Sequence, residues 1–443
     1  MPPLFHSLTM SNAPLIISGG LPLGGELEIF AAKNAALPII IASLLTPEPV
    51  VLHGVPRLAD VEVILQIVQT VGTRFEWTGP HTLCLHTPEL TNTETPYSLG
   101  LKMRASFEML GALLARAGEA RVGMPGGCVI GVRPVDQHVK AFRQMGATLI
   151  EENGCFTATR SGPLGGRVVF DRQTVGGTRN AMLAAALGAG HVTLENVALE
   201  PEVIDLANFL NHLGARVRGA GTPEIEIEGV STLHGGDYTI IPDRMEAGTF
   251  MFAAAASRGQ VTLRRVLVSQ LRAVTAKLVE SGVRVLELDS NTISVDARNV
   301  TPTPLTVQAV EYPGFPTDLQ PQAGAFLATV PGASFVSDHI YPDRLGYAGE
   351  LARLGANVAV HDHVLAVQGA PLRGAPVTAH DIRAGGALVV AAVAAEGETT
   401  ISGMDFVNRG YENLEARLRQ LGAQVTQTAM SAPVEERQLA LAL

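Results

Sequence analysis

The apolar positions of this chain recur with a long period. Six runs rich in alanine and branched aliphatics, at 31–45, 103–117, 177–190, 245–259, 317–330 and 382–397, are apolar nearly all the way round a helix. A helix without a polar face belongs in an interior. A short β-branched segment follows the run, as in PVVLHGV, HVTLENV, QVTLRRV and TTISGMD. Then comes a more polar helical stretch ending on a glycine: Gly72, Gly146, Gly214, Gly282, Gly355 and Gly422, spaced 67 to 74 residues apart. Such a glycine is the expected left-handed helix cap. The alternation after it, as in TRFE, ATLI and ARVR, suits a strand with one buried face.

The period predicts six units of about 70 residues, three in each of two domains. Apolar helices lie inside, with sheets around them. A doubly wound sheet or a (β/α)8 barrel fits less well, because the period is too long for one βα unit. Amphipathic strands also favour antiparallel or mixed sheets with one solvated face.

Composition narrows the partners. At 443 residues the chain exceeds one ordinary core, and 47% apolar with 17% charged residues describes a globular protein. A net charge of −10 argues against broad binding to nucleic acid or anionic membranes. Cys84, Cys128 and Cys155 form neither a disulfide framework nor a CxxC metal pair, so a reducing, cytoplasmic setting is expected. No run reaches the ~18 apolar residues of a membrane span. The first 13 residues lack the charged start and apolar core of a signal peptide.

Charge at the openings of the buried helices is where chemistry is expected. Lys33-Asn34, Arg104, the turn Thr174-Val175-Gly176-Gly177, Arg244 with Glu246, Asp318 and Arg383 all stand at or just before such an opening. A helix N-terminus offers free N–H groups and partial positive charge, which suits anions. If helices of both domains point at the interface, the cleft suits a substrate with several negative charges. Arg344 and Arg409 precede the outer helices of units five and six. Asp60, Asp136 and Asp205 hold the similar place in units one to three, where an N-cap role is the default.

The stretch 124–138, MPGGCVIGVRPVDQH, joins two adjacent glycines to Cys128, Arg133, Asp136 and His138. A thiol beside an arginine titrates more easily; an incidental buried thiol in a glycine turn is the other reading. His138 reads as a hydrogen-bonding group of the loop in preference to a metal ligand. No GxxxxGK[ST], HExxH or GxSxG pattern occurs, so nucleotidase, zinc peptidase and serine hydrolase readings lack support.

Around that stretch stand AAKNAALP, KMRAS, IPDRMEAGTF, FPTDLQPQ, DIRAGGA and NRGYE. Together these segments resemble the UDP-N-acetylglucosamine 1-carboxyvinyltransferase family of enolpyruvyl transferases, over roughly Pro14 to Val425. The resemblance implies an inside-out α/β barrel of two domains, residues 1–32 with 242–443 and residues 33–241. It implies transfer of the enolpyruvyl group of phosphoenolpyruvate to the 3′-hydroxyl of UDP-N-acetylglucosamine, with release of phosphate and no metal or organic cofactor. Cys128 matches the family's proton donor and fosfomycin target, and Asp318 its aspartate near the sugar hydroxyl. Lys33, Arg133 and Arg409 match the groups around phosphate, with Arg104, Arg344 and Arg383 as further anion clamps. Contacts to the UDP-sugar carry over to Asn34, Arg133, Pro134, Val135, Asp136, Gln137, Arg172, Gln173, Thr174, Val175, Asp318 and Ile340. His138, Arg244 and Glu246 complete the expected substrate-binding set. Domain closure with the Cys128 loop as lid would exclude water.

The chain departs from that pattern in places. Phe30-Ala31 stands where Ser-Gly is usual, Ala59 where some members have lysine, Arg172 where lysine is common, and Asn408 where aspartate is frequent. Two rival readings remain: the sister enzyme that uses shikimate 3-phosphate, and a non-catalytic paralogue that binds a UDP-sugar. The oligomeric state is open.

Overall fold

The computed structural model describes residues 11–126 and 134–427. Its buried helices are those expected: Lys33–Ala42, Met109–Ala117 after the 3-10 turn Arg104–Glu108, Val175–Ala185, Arg244–Ala256, Gln320–Leu327 and Ile382–Ala394. Each of the six turn glycines has a positive φ, between 84° and 113°, a region in which a Cβ is strained. Each glycine follows a helix and leads within two residues into a strand, for example Ala59–Thr70, Gly72 and Arg74–Gly79.

The strands form six small sheets, five of them four-stranded. In each of those five, one edge pair is parallel and the other pairings are antiparallel. In the sixth, a single parallel bridge between Glu94 and Arg121 stands where the fourth strand would lie. These are mixed sheets with alternating burial, as in BiBi for Val50–His53, so one face meets the helices and the other meets water. Helices lie within and sheets outside, the inside-out arrangement that the resemblance leads one to expect.

The chain closes on itself. Five turn-glycine strands make a hairpin with the strand that follows them, but Gln424–Gln427 pairs with Leu15–Gly19 from the chain's beginning. Gly24–Glu28 likewise pairs in parallel with Gln260–Arg264 of the fourth unit. Buried apolar side chains accordingly fall into two clusters, one from residues 15–29 and 245–425, the other from residues 31–240.

The chain passes between the clusters twice, and the two passes run side by side. Ala31 bridges Pro242, Ala32 N–H donates to Ile241 C=O at 2.8 Å, and Asp243 N–H donates to Phe30 C=O at 2.8 Å. Asp205 backs this crossing from the helix Pro201–His212; it does not cap that helix, whose N-cap is Glu200. Tyr238 Oη–H donates to Asp205 Oδ1 at 2.6 Å and Ile241 N–H to Oδ2 at 3.4 Å.

Burial pushes the Asp205 carboxyl up to about 6, only partly opposed by its bonds from Tyr238 and Ile241, with Glu202 adding to the rise. A folded carboxyl that holds its proton more tightly than the unfolded chain stabilises in acid, and that contribution is lost as pH rises from about 4 through 6. Asp205→Asn does not titrate. Its stability relative to the parent should therefore rise by roughly 2–3 kcal/mol between pH 4 and pH 7, read from urea midpoints. A pH-independent difference would remove Asp205 as the source.

Candidate active site

The site is built from helix openings, with carboxylates as counter-charges. Lys33 opens the helix Lys33–Ala42, whose N-cap is Ala32 with no capping side chain. Its Nζ donates to Asp60 Oδ2 at 2.9 Å. Asp60 Oδ1 accepts from Arg409 Nε at 2.8 Å, across a sequence separation of 349 residues. One carboxylate, 6% exposed, thus holds a lysine of one core cluster and an arginine of the other. Burial opposes the charge on Asp60, but Lys33 and Arg409 outweigh it and hold the carboxyl below its usual range. The expectation that Asp60 is an N-cap is corrected here, because Leu58 is the N-cap and no side chain caps that helix.

A second group surrounds Asp318, in the 3-10 turn Thr317–Leu319. Arg344 Nη1 donates to Asp318 Oδ1 at 2.7 Å and Arg383 Nη2 to Oδ2 at 2.8 Å. Arg344 Nη1 also donates to Thr317 Oγ1 at 2.9 Å, and the Thr317 hydroxyl donates to Asp338. Asp338 Oδ1 in turn accepts from the N–H groups of Ile340 and Tyr341 at 2.9 and 2.8 Å, which fixes the turn carrying Ile340. Burial works against a charged Asp318, yet Arg383 and Arg344 together drive its carboxyl far below the ordinary range. Held this way, Asp318 is a poor proton acceptor; drawing either arginine towards an anion would make it a better one.

Asp381 caps the helix Ile382–Ala394 by accepting from the N–H groups of Arg383 and Ala384, which fixes the first turn from which Arg383 reaches Asp318. Asp243 does the same for the helix Arg244–Ala256. Arg244, at the first position of that helix, grips Glu202 with Nε and Nη2, at 3.0 and 3.1 Å. Glu246 has different partners: it accepts from Phe30 N–H at 2.9 Å and pairs with Arg417 at 3.0 Å. Burial raises its carboxyl to about 7 against the pull of Arg417. Its contacts belong to the domain crossing, so the structure does not bring Glu246 to the Asp318 arginines.

Near the glycine-rich stretch, Cys128 and Arg133 lie outside the described residues. Arg104 Nη2 donates to Pro134 C=O at 2.8 Å, and Val135 is the N-cap of the helix Asp136–Gln144. Asp136 is therefore not a cap; it accepts from Arg172 Nη2 at 2.6 Å and from Gln137 at 3.0 Å. Gln137 also accepts from Asp171 N–H at 3.0 Å, so its amide ties the Asp136 helix to the loop of Arg172 and Gln173. Thr174 caps the helix Val175–Ala185 by accepting from Gly177 N–H at 3.2 Å. His138 is buried, with Nδ1 3.1 Å from Asn180 Nδ2 and its ring edge-on to Phe107. An amide nitrogen can only donate, so Nδ1 accepts and the ring proton sits on Nε2. Burial, with Arg104 and Arg179 nearby, drops His138 to about 3 and keeps it neutral.

Sequence reasoning missed Glu202, Thr317 and Asp338 and undervalued Asp60. Nothing in the residues around them marked these long-range partners. Among the described residues, no group of three or more His, Cys, Asp or Glu could hold a metal, and no helix is long and apolar enough to cross a membrane.

Known proteins resemble this chain along almost its whole length. The family model EPSP synthase (3-phosphoshikimate 1-carboxyvinyltransferase) matches residues 17–435. A UDP-N-acetylglucosamine 1-carboxyvinyltransferase of Deinococcus radiodurans is 56% identical over 418 residues, 94% of this chain and 98% of that protein. One from Thermus thermophilus is 57% identical over 411 residues, 93% of this chain and 96% of its own. Among solved structures, the enolpyruvyl transferase NikO from Streptomyces tendae superposes with a TM-score of 0.82 at 25% identity, covering 94% of this chain and 99% of that one. The chain belongs to the EPSP synthase family of enolpyruvyl transferases, among the UDP-N-acetylglucosamine 1-carboxyvinyltransferases.

Proposed function

We propose that this protein transfers the enolpyruvyl group of phosphoenolpyruvate to the 3′-hydroxyl of UDP-N-acetylglucosamine and releases phosphate, the first committed step of peptidoglycan synthesis. The observation that carries this reading is the set of buried cations, Lys33, Arg344 and Arg383 with Arg409 beside them, each matched to Asp60 or Asp318. Phosphoenolpyruvate brings a phosphate and a carboxylate, and UDP-N-acetylglucosamine a diphosphate; these can compete with the two aspartates for the cations. Preorganised charge of this kind is usually the largest catalytic contribution.

The reaction runs by addition and elimination. C3 of phosphoenolpyruvate takes a proton, which makes C2 electrophilic, and the sugar oxygen bonds to C2 as its own proton leaves. Loss of a C3 proton then reforms the double bond and expels phosphate. Cys128 is assigned as proton donor and Asp318 as acceptor of the hydroxyl proton. Lys33, Arg409 and Arg133 are assigned to the phosphate, with Arg104, Arg344 and Arg383 as further anion clamps. An anion that recruits Arg344 or Arg383 would loosen the hold on Asp318 when the acceptor needs a base. Asn34, Asp136, Gln137, Arg172, Thr174 and Ile340 are assigned to the UDP-sugar.

The same reading takes residues 1–32 with 242–443 as one domain and 33–241 as the other, supported by the two apolar clusters. Asp60 would hold the two together at the phosphate end of the cleft. The reading also places the protein in the cytoplasm, where both substrates are made.

Purified protein should release phosphate from phosphoenolpyruvate with UDP-N-acetylglucosamine and not with shikimate 3-phosphate. Absence of release with the first acceptor would sink the reading, and release with the second alone would transfer it to the sister reaction. Cys128→Ser should lose most turnover and escape alkylation by fosfomycin; continued inactivation by the drug would remove Cys128 from the chemistry. Cys128→Asp should retain activity and resist the drug, because a carboxylic acid also donates protons. Asp318→Ala should lower kcat by roughly 100-fold or more while changing sugar affinity less, measured by turnover and by equilibrium binding. An unchanged kcat would overturn its role as base.

A further inference from the structure

Pro38 lies inside the helix Lys33–Ala42 and has no N–H for the carbonyl four residues earlier, that of Asn34. Its ring also crowds that carbonyl. Asn34 is half-buried, and a carbonyl partly shielded from water that loses its helical donor is best satisfied by another. Arg179 Nη1, from the helix Val175–Ala185, supplies one at 2.9 Å.

Arg179 is 9% exposed, and its counter-charge is Glu108, 3% exposed at the end of the 3-10 turn Arg104–Glu108. Neither Arg179 Nε nor Glu108 Oε2 has a hydrogen-bond partner among the described residues. The hydrogen bonds of this pair go to each other and to the Asn34 carbonyl. The next residue, Asn180, completes the junction: its amide accepts from Gly111 N–H at 2.9 Å and donates to Phe107 C=O at 3.0 Å. Two successive residues of one buried helix thus tie down the openings of the other two buried helices of residues 33–241. A buried ion pair adds little net stability over a well-packed apolar pair of equal volume. What this pair adds is placement.

We propose that Arg179, balanced by Glu108, is a positioning residue for Lys33 and Asn34, because it takes the carbonyl left without a donor by Pro38 and so fixes the first helical turn. This rests on the functional reading above for the ligands that the turn holds. Lys33 must reach Asp60 and the phosphate from this turn, and Asn34 must reach the sugar. A turn free to tilt would misplace both and loosen their hold on the two substrates.

A four-protein cycle tests the assignment: the parent, Glu108→Gln/Arg179→Met, Pro38→Ala, and the triple variant. Removing both charges together leaves no lone buried charge. Alanine at 38 restores an N–H for the Asn34 carbonyl. The double variant should raise KM for phosphoenolpyruvate and UDP-N-acetylglucosamine roughly tenfold, with kcat within about threefold. Pro38→Ala alone should stay within about twofold of the parent and, in the triple variant, should remove most of the KM rise.

Amide hydrogen exchange over residues 33–42 should be faster in the double variant and restored in the triple. That readout needs no substrate, so an inactive parent would defeat the functional reading while the exchange result still decided the positioning role. Unchanged KM and exchange in the double variant, or changes that Pro38→Ala does not reduce, overturn the proposal. Should the double variant not fold, Arg179→Lys keeps the charge on Glu108's partner but not the forked donor. It should show the same KM rise and the same relief by Pro38→Ala, and the absence of either overturns the proposal.

Discussion

Cations cannot be stored in a cleft of low polarity without counter-charge. Here Lys33, Arg344 and Arg383 are each 5–6% exposed, and each is paired with the carboxylate of Asp60 or Asp318, Asp60 also holding Arg409, so the cations are partly compensated and a positive excess remains. The rest of the site follows from this requirement. The six-unit fold delivers helix openings to one region, and long basic side chains reach from those openings across to acids on other elements. Asp243, Asp381 and Thr174 cap three of these helices and fix the turns from which the neighbouring side chains reach out. On the proposed function, an anionic substrate would meet charges already in place and would exchange partners with them.

The same economy governs the link between the two apolar clusters. Phe30, where the family usually has a small polar residue, stacks on His81 with ring centroids 5.1 Å apart and lies 4.2 Å beneath the Arg417 guanidinium. Arg417 pairs with Glu246 and donates to Glu28 C=O at 3.0 Å, while Glu412 accepts from Arg57 N–H at 2.7 Å. An aromatic wedge and buried ion pairs therefore occupy a crossing where small residues would leave more freedom. Asn408, another departure, donates its side-chain amide to Ser11 C=O at 3.1 Å and so braces the beginning of the described chain. Arg172 keeps the cationic partner of Asp136 that a lysine would supply.

Much of the fold was legible in the sequence because its cause is local. A glycine at positive φ after a helix, an alternating strand beyond it and an apolar run before it are statements about neighbouring residues, and six repeats made them firm. Charged residues at one position of the repeat then pointed to the helix openings as the place for chemistry. Three acids at equivalent places looked alike and proved different: Asp60 pairs with Lys33 and Arg409, Asp136 with Arg172, and Asp205 with Tyr238. Glu246, two residues beyond the opening residue Arg244, turned to the crossing instead.

What the sequence by itself determined was the period, the buried and exposed faces and the candidate charges, since these depend on helix and strand geometry over a few residues. Only the tertiary structure decided which charge meets which. Asp60 and Arg409 are 349 residues apart and Asn34 and Arg179 are 145 apart, so no local pattern could specify their contacts. Pro38 illustrates the division. Its missing N–H was written in the chain, but the arginine that answers it was chosen by the packing of another helix against it.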